Sequence, residues 1–349
     1  MEQLSLSFLE TAYRDQKETA LFGKWIHYTH ISPLIDALSN TEEVLQIDTS
    51  ENGLPIHSLK FGTGKKKILI WSQMHGNEST GTKALFDLFN CFKSSGSAHF
   101  SSILEECTIL CIPMLNPDGA YKYTRVNVNN IDLNRDAVAR SAKESRLLRS
   151  VLDAFQPQFC FNLHDQRTIF GVEGTDNPAA ISFLAPSEEI TRKITMGRKA
   201  TMNVIVAMNN LLQKVIPNHV GRYTDEFYPT ATGDTFQKLG HNTILIEAGH
   251  YPDDYDREMV RKFNFFALTQ GLYHIATTSD YTDYKPYFEI PNNQKNFFDI
   301  IERNETTHQD VAYQYEDYVL NNELVSTKKR TKEGDLSNYL AHQLITLKK

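Results

Sequence analysis

His75 and Glu78 stand three residues apart in SQMHGNE, the turn that leaves the apolar run KKILIW (66–71). An imidazole and a carboxylate at that spacing can reach one cation, and His164, at the end of FCFNL, can supply a third ligand. Two histidines and a glutamate suit catalytic zinc, which keeps a fourth position for water. Related divalent ions would also fit the set. HxxE alone recurs by chance; its weight comes from the residues around it. Glu247 closes the run NTILIE and is a carboxylate able to take a proton from a metal-bound water. Arg125 can offset charge that develops on a carbonyl oxygen. In NIDLNRD, Asn134 and Arg135 pair an amide with a guanidinium, which suits a carboxylate. Taken singly, each arginine reads as an ordinary loop residue in a surface ion pair.

The elements that must carry these side chains are legible as alternating apolar runs. KKILIW (66–71), TILCIPML (108–115), FCFNL (159–163) and NTILIE (242–247) read as buried strands. Each runs directly into a chemically loaded residue: His75 and Glu78, the turn NPDG (116–119), His164-Asp165, and Glu247. Helical periodicity is expected over 79–93, 144–155, 187–215 and 255–277, and a hairpin over 44–61 turns at Asn52-Gly53. Strands alternating with helices imply an α/β fold, a mixed, largely parallel sheet with helices on both faces. Such sheets bind ligands beyond the carboxyl ends of their strands, where all four loaded ends would meet. Residues 1–45 read as an N-terminal helical segment with a polar linker ending near Asn40, 46–279 as the catalytic domain, and 280–349 as a small β-rich C-terminal unit.

Composition narrows the setting. The chain has 349 residues, 36 Lys+Arg against 43 Asp+Glu, and a net charge of −7. That balance argues against a nucleic-acid partner. No apolar run is long enough to cross a membrane and no signal segment is evident, so a cytoplasmic protein is expected. Cys91, Cys107, Cys111 and Cys160 form no CxxC pair and read as buried thiols. A serine or cysteine hydrolase is disfavoured, because there is no G-x-S-x-G elbow and no cysteine beside a plausible base.

His75-x-x-Glu78, NPDG, Arg125, DLNR (132–135), His164 and Glu247, in that order, resemble the zinc metallocarboxypeptidases related to carboxypeptidase A. The resemblance covers about residues 50 to 275. It implies one zinc per chain held by His75, Glu78 and His164, with Glu247 as general base and then acid. It also implies Arg125 on the scissile carbonyl, and Asn134 and Arg135 on the free carboxylate of a peptide. The family's mobile tyrosine would correspond to Tyr228 in YPTATGD, with Tyr223 as competitor. Asp165 departs from the digestive members, which carry a small serine-like residue there, and would orient the histidine or contact substrate. HGNE and DLNR also resemble the aspartoacylase and succinylglutamate desuccinylase branch, which cleaves N-acyl amino acids; NPDG and the stretch around Tyr228 favour the peptidase branch. The third alternative is a non-catalytic zinc-binding module on the same fold. The expected substrate is a peptide or small amide with a free carboxylate. Arg167, Arg222 and Lys238 could make a basic pocket for acidic, γ-linked or cell-wall peptides, but solvated surface charge is the preferred assignment for all three. Oligomeric state and side-chain specificity are not legible.

Overall fold

Strand Lys66–Trp71 buries Ile68, Leu69, Ile70 and Trp71 completely. A strand apolar on both pleats must be central in a sheet that is covered on both faces. In the computed structural model, which describes residues 1–39, 43–94, 96–304 and 309–347, it lies inside an eight-stranded mixed sheet. The strands of the first part of the chain are β1 (Glu43–Thr49), β2 (Pro55–Phe61), β3 (Lys66–Trp71), β4 (Cys107–Ile112), β5 (Phe159–Asp165), β6 (Phe170–Val172), β7 (Ile181–Leu184), β8 (Val220–Arg222) and β9 (Asn242–Ala248). All but β6 form the sheet, in the order β1-β2-β4-β3-β5-β9-β7-β8. Its centre, β4-β3-β5-β9, is parallel, and the flanking pairs β1–β2, β2–β4 and β7–β9 are antiparallel. Gly53, at φ +82°, turns the expected β1–β2 hairpin.

The helices are α1 (Leu6–Gln16), α2 (Tyr28–Leu38), α3 (Thr80–Lys93), α4 (Ala98–Glu106), α5 (Pro117–Lys122), α6 (Lys143–Phe155), α7 (Met196–Leu212), α8 (Thr232–Lys238) and α9 (Glu258–Thr277). Ile68, Ile70, Phe161, Ile244 and Ile246 face a core made with α1 to α4, α7 and α9. Leu69, Trp71 and Cys160 face a smaller core with Leu147, Leu148 and Leu152 of α6 and Phe236 of α8. This is the two-sided architecture expected. The four cysteines are buried free thiols. No helix among the described residues is long and apolar enough to cross a membrane.

Two elements differ from expectation. The strand expected over 108–115 ends at Ile112, because Pro113 has no N–H to give to the ladder. The helix expected over 187–215 starts at Met196. Glu189 accepts the backbone N–H groups of Thr191 (3.0 Å) and Lys193 (3.2 Å), and Arg192 is left-handed at φ +56°. The Arg198 guanidinium then holds the carbonyls of Ala185 and Arg192, so this stretch is a pinned loop. Asn40, the expected end of the N-terminal linker, lies outside the described residues.

Beyond α9 come β10 (Asn293–Lys295), β11 (Phe297–Asn304), β12 (Asp310–Leu320), β13 (Glu323–Gly334) and β14 (Leu340–Leu347). β10 pairs with β6, and the rest form a four-stranded sheet in the order β13-β12-β11-β14. The C-terminal region is β-rich, as expected.

Residues 1–39 are fastened to the sheet-covering helices by a buried ion cluster. Arg261 of α9 and Asp87 of α3, both fully buried, pair through two short bonds of 2.6 and 2.8 Å. Arg261 also donates to the carbonyls of Glu18 (2.7 Å) and Leu21 (2.6 Å), while Glu258 accepts from Lys83 at 2.6 Å and Lys17 at 2.8 Å. Removing one member strands the other's charge, so Arg261→Met should cost about 3–5 kcal/mol in urea unfolding, and adding Asp87→Leu should recover part of it. Burial raises the Glu258 pKa, but Lys83, Lys17 and Arg261 outweigh it and bring it from 4.5 to about 2. A folded-state value below the unfolded one gives stability that is complete above about pH 4.5 and is lost as pH falls toward 2. Glu258→Gln should therefore flatten the fall in Tm between those pH values.

Candidate metal centre and cleft

Parallel register brings the two halves of the expected site together. His164 of β5 sits opposite Glu247 of β9, one residue from each strand's end. His75 and Glu78 come from the loop after β3, whose backbone lies against the NPDG turn: a Cβ on Gly76 would fall 1.9 Å from the Gly119 carbonyl carbon. Asn116 braces that turn from both sides, accepting from Gly119 N–H at 2.9 Å and donating to the Met74 carbonyl at 3.2 Å. NPDG thus fixes the histidine loop.

His75, Glu78 and His164 are all buried, and their ligand atoms cluster within 4.8 Å of one another. His75 Nδ1 and His164 Nδ1 are 3.1 Å apart, and the Glu78 carboxylate lies 2.8 Å from each. Two imidazole nitrogens facing each other beside a carboxylate are three lone-pair donors converging on one point. That donor set fits a divalent ion such as zinc. Burial raises the Glu78 pKa, but the two histidines outweigh it and hold it well below the carboxylate range. Burial lowers His75, yet Glu78 and Asp132 bring it above its ordinary value; His164 stays below, because burial dominates.

Asp132, in the DLNR run but assigned no role from sequence, organises three of the expected residues. Its Oδ1 lies 3.1 Å from His75 Nε2 and accepts the Asn134 N–H at 2.9 Å, and its Oδ2 accepts from Arg125 Nε at 3.0 Å. Burial raises its pKa, but His75 and Arg125 outweigh it and leave the carboxyl well below the ordinary range. A carboxylate on the far nitrogen of a ligating histidine fixes the ring and leaves Nδ1 to face the metal. The DLNR spacing offered the signal, since the aspartate caps its turn. Arg257, also missed, donates to the carbonyls of Ala248 (2.8 Å) and Gln166 (2.7 Å) and pairs with Asp165 at 3.4 Å. It clamps the ends of β5 and β9, which present His164 and Glu247. Nothing in its local sequence marks it.

His75, Glu78, Asp165 and Arg257 line a cleft of about 670 Å³, with His164 and Asp132 behind its wall-forming residues. Glu247 is half-buried there, and burial, then the charges of Glu78 and Asp165, raise its pKa well above the ordinary carboxylate value. Arg125 reaches Glu78 at 3.4 Å. Asn134 and Arg135 line the cleft together; Asn134 Oδ1 accepts the Thr232 N–H at 3.2 Å, which turns its NH₂ to other partners. Asp165 lines it too, accepting from Thr80 Oγ1 at 2.8 Å through Oδ2 and donating its own N–H to Glu78 at 3.1 Å. Tyr223 lines the cleft and donates to Gln166 at 2.8 Å, whereas Tyr228 stands outside the lining, 47% exposed, with the Arg135 guanidinium 5.6 Å from its ring. Of the three basic residues considered for a pocket, Arg167 lines the cleft; Arg222 stacks over Tyr287 and Phe288, and Lys238 lies over Phe227. Asp132→Asn should weaken zinc binding about 10–100-fold in a chelator competition, with the thermal melt little changed.

The zinc carboxypeptidase family matches residues 28–170. Over 102 residues the chain is 28% identical to probable carboxypeptidase 2 of Trichophyton verrucosum, covering 29% of this chain and 20% of that protein. It is 31% identical over 112 residues to carboxypeptidase D of Anas platyrhynchos, covering 31% of this chain and 8% of that one. The match thus spans about a fifth or less of these relatives' length. A metallo-carboxypeptidase structure from Burkholderia cenocepacia superposes with a TM-score of 0.59 at 19% identity, covering 72% of this chain and 70% of the other. Carboxypeptidase A from Helicoverpa armigera gives 0.57 at 15%, covering 78% and 80%. Residues 28–170 are thus similar to the zinc carboxypeptidase family, and the central sheet has the fold of these carboxypeptidase structures.

Proposed function

We propose that the chain is a zinc metallocarboxypeptidase that hydrolyses the C-terminal amide bond of a peptide. The observation that carries this reading is the convergence of His75, Glu78 and His164, the first two lining a cleft that Glu247, Arg125, Asn134 and Arg135 also line. His75, Glu78 and His164 would hold one zinc, which when bound supplies Lewis-acid polarisation and acidifies water.

The remaining chemistry belongs to the chain's own side chains. Glu247 is the proton acceptor as water attacks the carbonyl, and then the donor to the leaving amine. Its place opposite His164 at the ends of β9 and β5 supports that role. Arg125, held by Asp132, presents its guanidinium to the carbonyl oxygen as charge develops there. Arg135 and the Asn134 amide bind the substrate's free carboxylate. Tyr228, on an exposed loop beside Arg135, closes over bound substrate, and Asp165 keeps Glu78 in place through its backbone N–H. The four unpaired buried thiols suit a reducing compartment such as the cytoplasm.

The test is mass spectrometry of a peptide pool and of N-acetyl and N-succinyl amino acids incubated with zinc-loaded protein. Stepwise loss of C-terminal residues is expected, and Glu247→Gln should lower it by about 10²–10⁴. Release of acyl groups with peptides untouched would move the protein to the N-acyl amino acid branch, and no turnover of either would leave a zinc-binding module. Arg125→Ala should reduce kcat by about 10²–10³. Arg135→Ala should act mainly on KM.

A further inference from the structure

The C-terminal sheet reaches into the cleft. Gln314, Tyr315, Glu316 and Asp317 of β12, with Lys329 and Thr331 of β13, line the same cavity as His75 and Glu78. A unit that merely packed on the outside would not contribute consecutive residues of one strand to this lining. The hairpin is fixed there by contacts to the loops that follow the site residues. Thr168, four residues after His164, donates through its hydroxyl to Gln314 at 3.1 Å, and its carbonyl lies 2.8 Å from His342 Nε2 on β14. Tyr255, eight residues after Glu247, donates to Asp299 at 3.0 Å, and Asp299 also accepts the Tyr315 N–H at 2.8 Å. On the other side Asp317 forms an ion pair with Lys24 of the N-terminal loop, both side chains less than a fifth exposed. The hairpin and the loop before α2 are therefore joined across one wall of the cleft.

We propose that the β12–β13 hairpin is part of the substrate site and restricts it to short peptides of two or three residues. The wall residues are already paired: Asp317 with Lys24, and Glu316 with Lys329 at 2.6 Å. They are therefore not free charges seeking a ligand. The cavity of about 670 Å³ falls inside the roughly 300–1,000 Å³ that encloses a small ligand. On this proposal a longer chain meets the Lys24–Asp317 pair on its way out of the cleft. The proposal rests on the peptidase reading above and adds the length limit to it.

The test measures binding in zinc-loaded Glu247→Gln protein, so that ligands survive. One probe is a pool of N-acetylated dipeptides covering every C-terminal residue; the other is the same pool extended at the N-terminus by about ten Gly/Ser residues, a flexible segment. The short pool should bind at least about tenfold more tightly, and Lys24→Ala/Asp317→Ala or Tyr315→Ala in the same background should bring the ratio to within about twofold. Thermal melts check that each variant is folded. Equal affinity for both pools in the parent overturns the length limit and leaves the peptidase reading standing. An unchanged ratio in both folded variants overturns the hairpin's role. Failure of both pools to bind overturns the length limit and the peptidase reading together.

Discussion

A buried carboxylate between two buried imidazoles is the constraint around which this protein is arranged. Glu78 has little contact with water and lies 2.8 Å from the Nδ1 atoms of both His75 and His164. A carboxylate in that position is costly unless its charge is matched. The partners come from distant parts of the chain: His75 and Arg125 from loops after β3 and β4, His164 from β5, and the Asp165 N–H beside it. The geometry is therefore a product of the sheet. Only parallel strands ending at the same level can bring these loops to one point.

The supporting residues explain why the arrangement holds. Asp132 joins His75, Arg125 and Asn134, so a candidate metal ligand and the two residues proposed to meet substrate oxygens are set by one side chain. Arg257 ties the ends of β5 and β9 and so fixes the spacing between His164 and Glu247. The opposed pKa shifts follow from the same packing. Glu78 is pulled down by its histidines, while Glu247, which has burial and two nearby carboxylates, is pushed up.

Much of this was visible in the residues, for a physical reason. Buried central strands are continuous apolar runs, so KKILIW, FCFNL and NTILIE announce themselves, and each hands over directly to a polar residue of the site. What escaped depends on contacts that local pattern does not encode. The start of α7 is set by Glu189 and Arg198 taking backbone groups from a segment whose composition is otherwise helical. Asp132 stood inside a quoted motif, but its role needs the position of His75 fifty-seven residues earlier. Arg257 acts through backbone carbonyls, which leave no trace in sequence. The texture of the C-terminal region gave its β-character, yet its place beside the cleft is set by side chains such as Asp299, Gln314 and Asp317 that meet Tyr255, Thr168 and Lys24, all outside that region.

Everything in this account turns on whether the Glu78 cluster is a metal site. Equilibrium dialysis against buffered zinc, with metal content measured per chain, tests that claim most directly. The account predicts one zinc per wild-type chain, and none for a folded Glu78→Gln variant at the same free zinc. A wild-type chain that takes up no zinc, or a variant that takes up as much, would contradict it.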